Sequence, residues 1–239
     1  MRTAIRPKRH TSFGFLTAAI VVAPWALVAE AEPYAEKRRQ KQATFIAIVG
    51  HWLPVDDGGL AFKADGEKWN GQTAAGDLGA VGRSLFPSLT ESFVANGIAP
   101  GAFPLAAFTQ VRDFAEGTLR VQFKLVGGPT DQTAGIVFGL QPTGEYMFIR
   151  YNTRDGNVAV WEYGNGQRRV ARHGEAHVQL PLDAWHELTV TVSGTKVTGA
   201  VSGTSLNVEH TLDKPLTGRV GVWTKRDAIS VFKGFQATR

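Results

Sequence analysis

The stretch T-L-R-V-Q-F-K-L, Thr118–Leu125, alternates without a fault: Leu119, Val121, Phe123 and Leu125 fall on one side, Arg120, Gln122 and Lys124 on the other. Successive side chains of a strand project to opposite faces, so a polarity of period two predicts a strand with one face buried. The same reading extends toward the C-terminus. Gly135–Leu140 and Tyr146–Asn152 are strands split by Pro142-Thr143-Gly144, and Asn157–Tyr163 follows Arg154-Asp155-Gly156, a hairpin signal. Trp185–Ser193, Lys196–Val201, Ser205–Thr211, Arg219–Thr224 and Ile229–Gln236 complete the series. No amphipathic helix interrupts it, which predicts an antiparallel all-β domain: a sandwich, a jelly roll or a closed barrel.

Upstream the text is less regular. From 53 to 105 it is rich in Gly, Asp and Ala; Leu60–Lys63 and Trp69 read as pieces of an early strand pair, and the rest as loop or a short helix near Leu85–Asn96. Residues 32–44 are a polar leader with the basic cluster Lys37-Arg38-Arg39 and Lys41, and 45–239 is expected to form a single domain.

The N-terminus reads as an address. Arg2, Arg6, Lys8 and Arg9 precede the uncharged run Thr11–Ala29, which ends at Ala29-Glu30-Ala31. A basic region, an apolar stretch and small residues at the cut site describe a secretory signal peptide spanning 1–31. The rival is a membrane anchor, against which Pro24 and the small residues argue. The expected location is periplasmic or extracellular, with no stable membrane span once the signal is cleaved.

Composition narrows the function. The 239 residues carry a formal charge of +5, but without Arg2, Arg6, Lys8, Arg9 and Glu30 the remaining chain has 22 basic and 20 acidic residues. That near-balance weighs against nucleic acid, which needs a dense basic face. With no cysteine, disulfides, thiolate metal sites and a cysteine nucleophile are excluded. The five histidines of the mature chain (His51, His173, His177, His186 and His210) have no spacing that suits zinc, and no Gly-x-Ser-x-Gly, phosphate loop or dinucleotide fingerprint occurs.

Several elements together carry a resemblance: Asp131-Gln132 with Ala134-Gly135, Tyr146 with Arg150 and Asn152, Trp185-His186-Glu187-Leu188, and Gly218-Arg219-Val220-Gly221-Val222-Trp223-Thr224. Over roughly residues 100–237 the chain resembles exported bacterial domains of the concanavalin A-like jelly-roll superfamily. In particular it is similar to those grouped with the 3-keto-disaccharide hydrolase (family 16 glycoside hydrolase-like) domain. The resemblance implies an antiparallel two-sheet β-sandwich whose concave face accommodates sugar. There are departures. No Glu-x-Asp occurs in the chain, so the laminarinase-type pair of carboxylates is absent. On the last strand Lys233 stands where superfamily members often carry an acid near calcium; calcium is doubtful and no cofactor is expected.

Sugars bind by stacking their CH faces on aromatic rings beside planar polar groups. Trp161 shares parity with Asn157 and Tyr163, and Tyr146, Arg150 and Asn152 share one side of their strand, either in a salt-bridged surface or in a wet groove. Register permitting, the Asp155-Gly156 hairpin places Arg150 and Asn152 on the same face as Trp161. Asp131, Arg168, Lys225 and Asp227 sit at strand ends or turns, where binding residues concentrate. Trp185 reads as core; Trp223, opposite in parity to Val220 and Val222, either covers the second face of its sheet or lines the groove. The functional expectation is an exported carbohydrate-binding, lectin- or glucanase-like domain. One alternative is a 3-keto-glycoside hydrolase or lyase, in which His173, Glu162 or Asp131 removes the C2 proton and Arg150 or Lys225 steadies the enolate. The other is a non-catalytic structural or interaction protein of the envelope.

Overall fold

The computed structural model describes residues 45–69, 78–87 and 103–239, all within one compact unit spanning 39–239. The signal peptide and leader expected at 1–44 lie outside the described residues, as does 88–96 of the expected helix. Fourteen strands are described: β1 Phe45–Val49, β2 Trp52–Asp56, β3 Leu60–Asp65, β4 Leu105–Phe108, β5 Gly117–Gly127, β6 Thr133–Leu140, β7 Tyr146–Asn152, β8 Asn157–Gly164, β9 Gln167–His173, β10 Trp185–Ser193, β11 Lys196–Val201, β12 Asn207–Thr211, β13 Arg219–Trp223 and β14 Ile229–Thr238. They form two seven-stranded sheets, ordered β1-β4-β13-β6-β7-β8-β9 and β12-β11-β10-β5-β14-β3-β2, and every pairing is antiparallel. This is the expected two-sheet jelly roll.

The alternation in β5 works as read. Leu119, Val121, Phe123 and Leu125 are buried between the sheets with Leu188, Val190 and Val192 of β10, and they face Ile136, Phe138, Ile149 and Val160 of the first sheet. Tyr151 ties this core to the loop beyond β9: its hydroxyl donates to the Val178 carbonyl at 2.9 Å and accepts from the Leu180 amide at 2.9 Å.

β6 and β7 are buried along their whole length, which a strand half-exposed to water cannot be. The outer face of the first sheet is covered too. Leu105, Val137, Leu140, Tyr146, Phe148, Tyr163 and Trp223 form a second apolar layer there with Ile48, Val81 and Leu85. Val81 and Leu85 stand one turn apart on the helix α1, Leu78–Leu85, which lies earlier than the sequence suggests. Arg219 fastens this helix, donating to the Leu85 carbonyl, an acceptor the helix end leaves free, while its guanidinium lies 5.3 Å from the Phe86 ring.

Two readings are corrected. Trp185 is half-buried on the outer face of the second sheet, outside the core, because its parity is that of Glu187 and not of Leu188. Lys124 and Lys233 bring their ammonium groups 5.2 and 3.8 Å from its ring. Arg168, placed at a strand end or turn by the sequence, is the second residue of β9, an unrecognised edge strand. Its sequence, QRRVARH, lacks apolar alternation because most of it faces water, and charge on an edge strand discourages pairing with other chains.

Candidate functional site

The β7–β8 hairpin sets the geometry. Asn152 pairs with Asn157, Arg150 with Ala159 and Phe148 with Trp161, so Arg150, Asn152 and Trp161 share the outer face of the first sheet, as the hairpin argument requires. The turn at 153–156 holds this register: the Gly156 amide donates to the Asn152 carbonyl at 2.8 Å, and the Arg154 amide to Asn152 Oδ1 at 2.8 Å. Gly156 adopts φ +65°, which a residue with a Cβ enters only with strain.

Arg150 is buried at the base of this hairpin. Its Nη2 bonds Asp155 Oδ2 at 2.5 Å, and its Nη1 donates to the Asn157 backbone carbonyl at 3.3 Å and to Asn157 Oδ1 at 3.2 Å. On β6 its register partner is Gly135, where a Cβ would stand 2.8 Å from the Ile149 carbonyl oxygen and 3.1 Å from Arg150 Cβ. Burial draws the Arg150 pKa below the usual guanidinium value, against the opposing pull of Asp155. Arg150 therefore belongs to the salt-bridged alternative.

Beside it lies a second ion pair. Asp131 Oδ1 accepts from Asn152 Nδ2 at 2.9 Å, and Oδ2 pairs with Lys225. Burial pushes the Asp131 carboxyl up, but Lys225, the Asn152 amide and the field of Arg168 outweigh it and hold the group below its ordinary range. A carboxyl held ionised in this way is no general acid at neutral pH. Asp227 closes the corner, accepting from the Thr130 amide at 2.8 Å.

Farther along the face the site becomes aromatic. Phe148 stacks 4.3 Å from Trp223 and 6.2 Å from Trp161, and Tyr146 stacks 4.8 Å from Tyr163. Trp223 is fully buried, so of its two alternatives it covers the second face of the sheet; Trp161 remains half-exposed. Two guanidiniums attend the Trp161 ring, Arg150 at 5.5 Å and Arg168 at 4.7 Å, and Arg168 also lies 4.9 Å from Phe103. His173, exposed on β9, sets its ring edge-on 6.2 Å from Trp161 and its Nδ1 3.4 Å from Asn157 Nδ2. Three buried polar atoms on this face, the Tyr146 hydroxyl and the indole nitrogens of Trp161 and Trp223, close no hydrogen bond.

Of the eight residues singled out by sequence, Asp131, Asn152 and Lys225 form one network, with Asp227 beside it; Arg150, Trp161 and Arg168 form a contiguous stack, and Tyr146 joins the aromatic layer. Asp155 was readable as a turn residue and Asn157 by its parity with Trp161, but nothing in the sequence marked either of them, or Phe103, as a partner of these side chains. Glu162 follows Trp161 in β8 and so takes the other face, opposite Met147 in register, where it pairs with Arg169. Among the described residues no three acidic or histidine side chains gather as a metal cage, and Lys233 is engaged with Trp185 and the Asp57 carbonyl. A cleft of about 990 Å³ opens among the described residues where the β6–β7 and β8–β9 turns meet residues 214–217; Tyr146, Tyr163 and Arg168 form its wall on the side of the aromatic layer, and Glu145 and Glu162 also line it.

No protein-family model and no curated protein matches the chain. Solved structures share its fold. The carbohydrate-binding module CBM66 from Bacillus subtilis superposes with a TM-score of 0.58 at 10% identity, over 82% of this chain and 96% of that one. A Bacillus subtilis protein of unknown function with a galectin-like fold gives 0.50 at 14% identity, over 82% and 90%. These likenesses show a shared two-sheet fold.

Proposed function

We propose that this chain is an exported carbohydrate-binding protein that holds a glycan on the outer face of its first sheet, around Trp161. The observation that carries this reading is the setting of Trp161, a partly exposed indole at the margin of the buried aromatic layer, with the likewise partly exposed Phe103 across Arg168. Beside it stands a polar end built from Arg150, Asn152, Asn157, Asp131 and Lys225. An apolar ring next to fixed planar polar groups is what a sugar requires. The fold shared with a carbohydrate-binding module supports the same reading.

The test is a panel of neutral and acidic oligosaccharides titrated against the protein, read by intrinsic tryptophan fluorescence and calorimetry. For any saccharide that binds, Trp161→Ala is expected to weaken it about thirtyfold, the loss of an aromatic anchor worth about 2 kcal/mol. Being half-exposed, Trp161 should leave Tm within about 5 °C of the parent when removed. A panel without a binder, or full affinity in the variant, overturns the proposal.

The elimination reading keeps one favourable observation: His173, the exposed base candidate, lies next to Trp161. Its signature is a released aglycone from a 3-keto-glycoside, lost in His173→Gln.

A further inference from the structure

The polar groups of this face are unevenly matched. Asp155 is taken by Arg150 and Asp131 by Lys225, and of the carboxylates lining the cleft Glu162 is paired with Arg169 while Glu145 accepts from the Thr143 hydroxyl. Arg168 is left over. It is half-buried on β9, and its side chain makes no ion pair or hydrogen bond with any described residue; its guanidinium is positioned by the rings of Trp161 and Phe103. Its five N–H groups are all donors. In the wall of the same cleft the Tyr146 hydroxyl, on a side chain almost wholly buried, has no acceptor for its proton. Burial raises its pKa against the smaller, opposing pull of the Trp223 indole N–H, a donor that can offer no acceptor, so it stays neutral with its own proton undonated. The charges acting on Arg168 are those of Asp131 and Asp155, both already paired, and the cation Arg226.

We infer that Arg168 and Tyr146 form an acceptor subsite at the cleft end of the face, and that the saccharide bound there carries a carboxylate. A guanidinium fork matches a carboxylate with two parallel hydrogen bonds, whereas a neutral hydroxyl uses only one of its arms. Desolvation by the flanking aromatic rings strengthens that pairing and leaves the empty subsite with an uncompensated cation. The inference rests on the carbohydrate reading and adds the substrate class: an acidic sugar unit, seated so that its neighbour lies on Trp161.

The probes are trimers of galacturonate and of glucuronate, each against the neutral trimer of galactose or glucose with the same linkage. The acidic member of at least one pair is expected to bind ten-fold or more tightly than its neutral counterpart, with an affinity that falls as salt is raised. In Arg168→Gln that preference should shrink to less than threefold, and Arg168→Lys, which restores charge but not the fork, should recover only part of it. Tyr146→Phe should reduce the preference as well, and thermal melts of each variant confirm the fold. Equal binding of acidic and neutral trimers, or a preference unchanged in Arg168→Gln, overturns the acidic subsite while leaving the carbohydrate reading intact. Binding of no saccharide overturns both.

Discussion

Asp131 shows how one residue's chemistry is set by its neighbours. Isolated in an apolar setting, its carboxyl would resist ionisation; beside Lys225, Asn152 and Arg168 it ionises more readily than usual. A depressed folded-state pKa stabilises the fold where the group is ionised in both states, above about pH 4 to 5, and the contribution disappears as pH falls through the unfolded value near 3.9 toward the lower folded one. Urea unfolding from pH 7 to pH 2.5 should follow that slope in the parent. Asp131→Asn is expected to lose about 3 kcal/mol at pH 7, because Lys225 is left without its partner, and to change less than the parent across the acid range. Equal pH dependence in the two proteins would mean that the pair does not form. Arg150 obeys the same logic: with its guanidinium buried against Asp155 and Asn157, it holds the hairpin and donates to a ligand only as far as that network permits.

The β7–β8 hairpin is the element that assembles the site. A slip of one residue would send Trp161 to the inner face and Val160 outward, reversing core and site together. The register is held by the turn, through Gly156 in the left-handed region and the Asn152 side chain bonded to the Arg154 amide. Gly156→Ala puts a Cβ 2.9 Å from Gln179 Nε2 and forces φ +65° on an alanine. It should cost about 1–3 kcal/mol and lower Tm without changing the far-ultraviolet spectrum. An unchanged Tm would show that the turn is not strained against a side chain. β9 makes a different contribution. As a charged edge strand it is poor core material, and for that reason its Arg168 is free to reach across Trp161.

At the scale of the molecule, the first sheet is buried on both faces for much of its length, between the second sheet and an outer layer of aromatics with α1. The site is where that outer cover gives way to charge. The glycan-binding role proposed for that site requires export, the fate expected from residues 1–31. Mass spectrometry of the protein recovered from the envelope fraction should find Glu32 as its first residue; a retained Met1 in that fraction would point to an anchor instead. Among the described residues no helix is long and apolar enough to cross a membrane.

Local pattern by itself determined most strands after residue 117 and which of their residues share a face, while β1, β2, β4 and β9 escaped it. Alternation in Thr118–Leu125, the turn at Asp155-Gly156 and the parity of Tyr146, Arg150, Asn152 and Trp161 are properties of a pleated chain with a period of two, and they need no partner to be read. Tertiary structure decided what covers each face. Parity places Trp185 opposite Leu188 but cannot say that lysines from β5 and β14 cover its ring, and it turns Trp223 away from the core without revealing the second apolar layer that buries it. It puts Arg150 beside Trp161 and leaves open whether water or Asp155 meets the guanidinium. Arg168 was the least legible, because its strand has no apolar rhythm and its role depends on Phe103, 65 residues away in the chain. Contacts across that separation are chosen by how two sheets stack and which loops close over them, and no local periodicity encodes that choice.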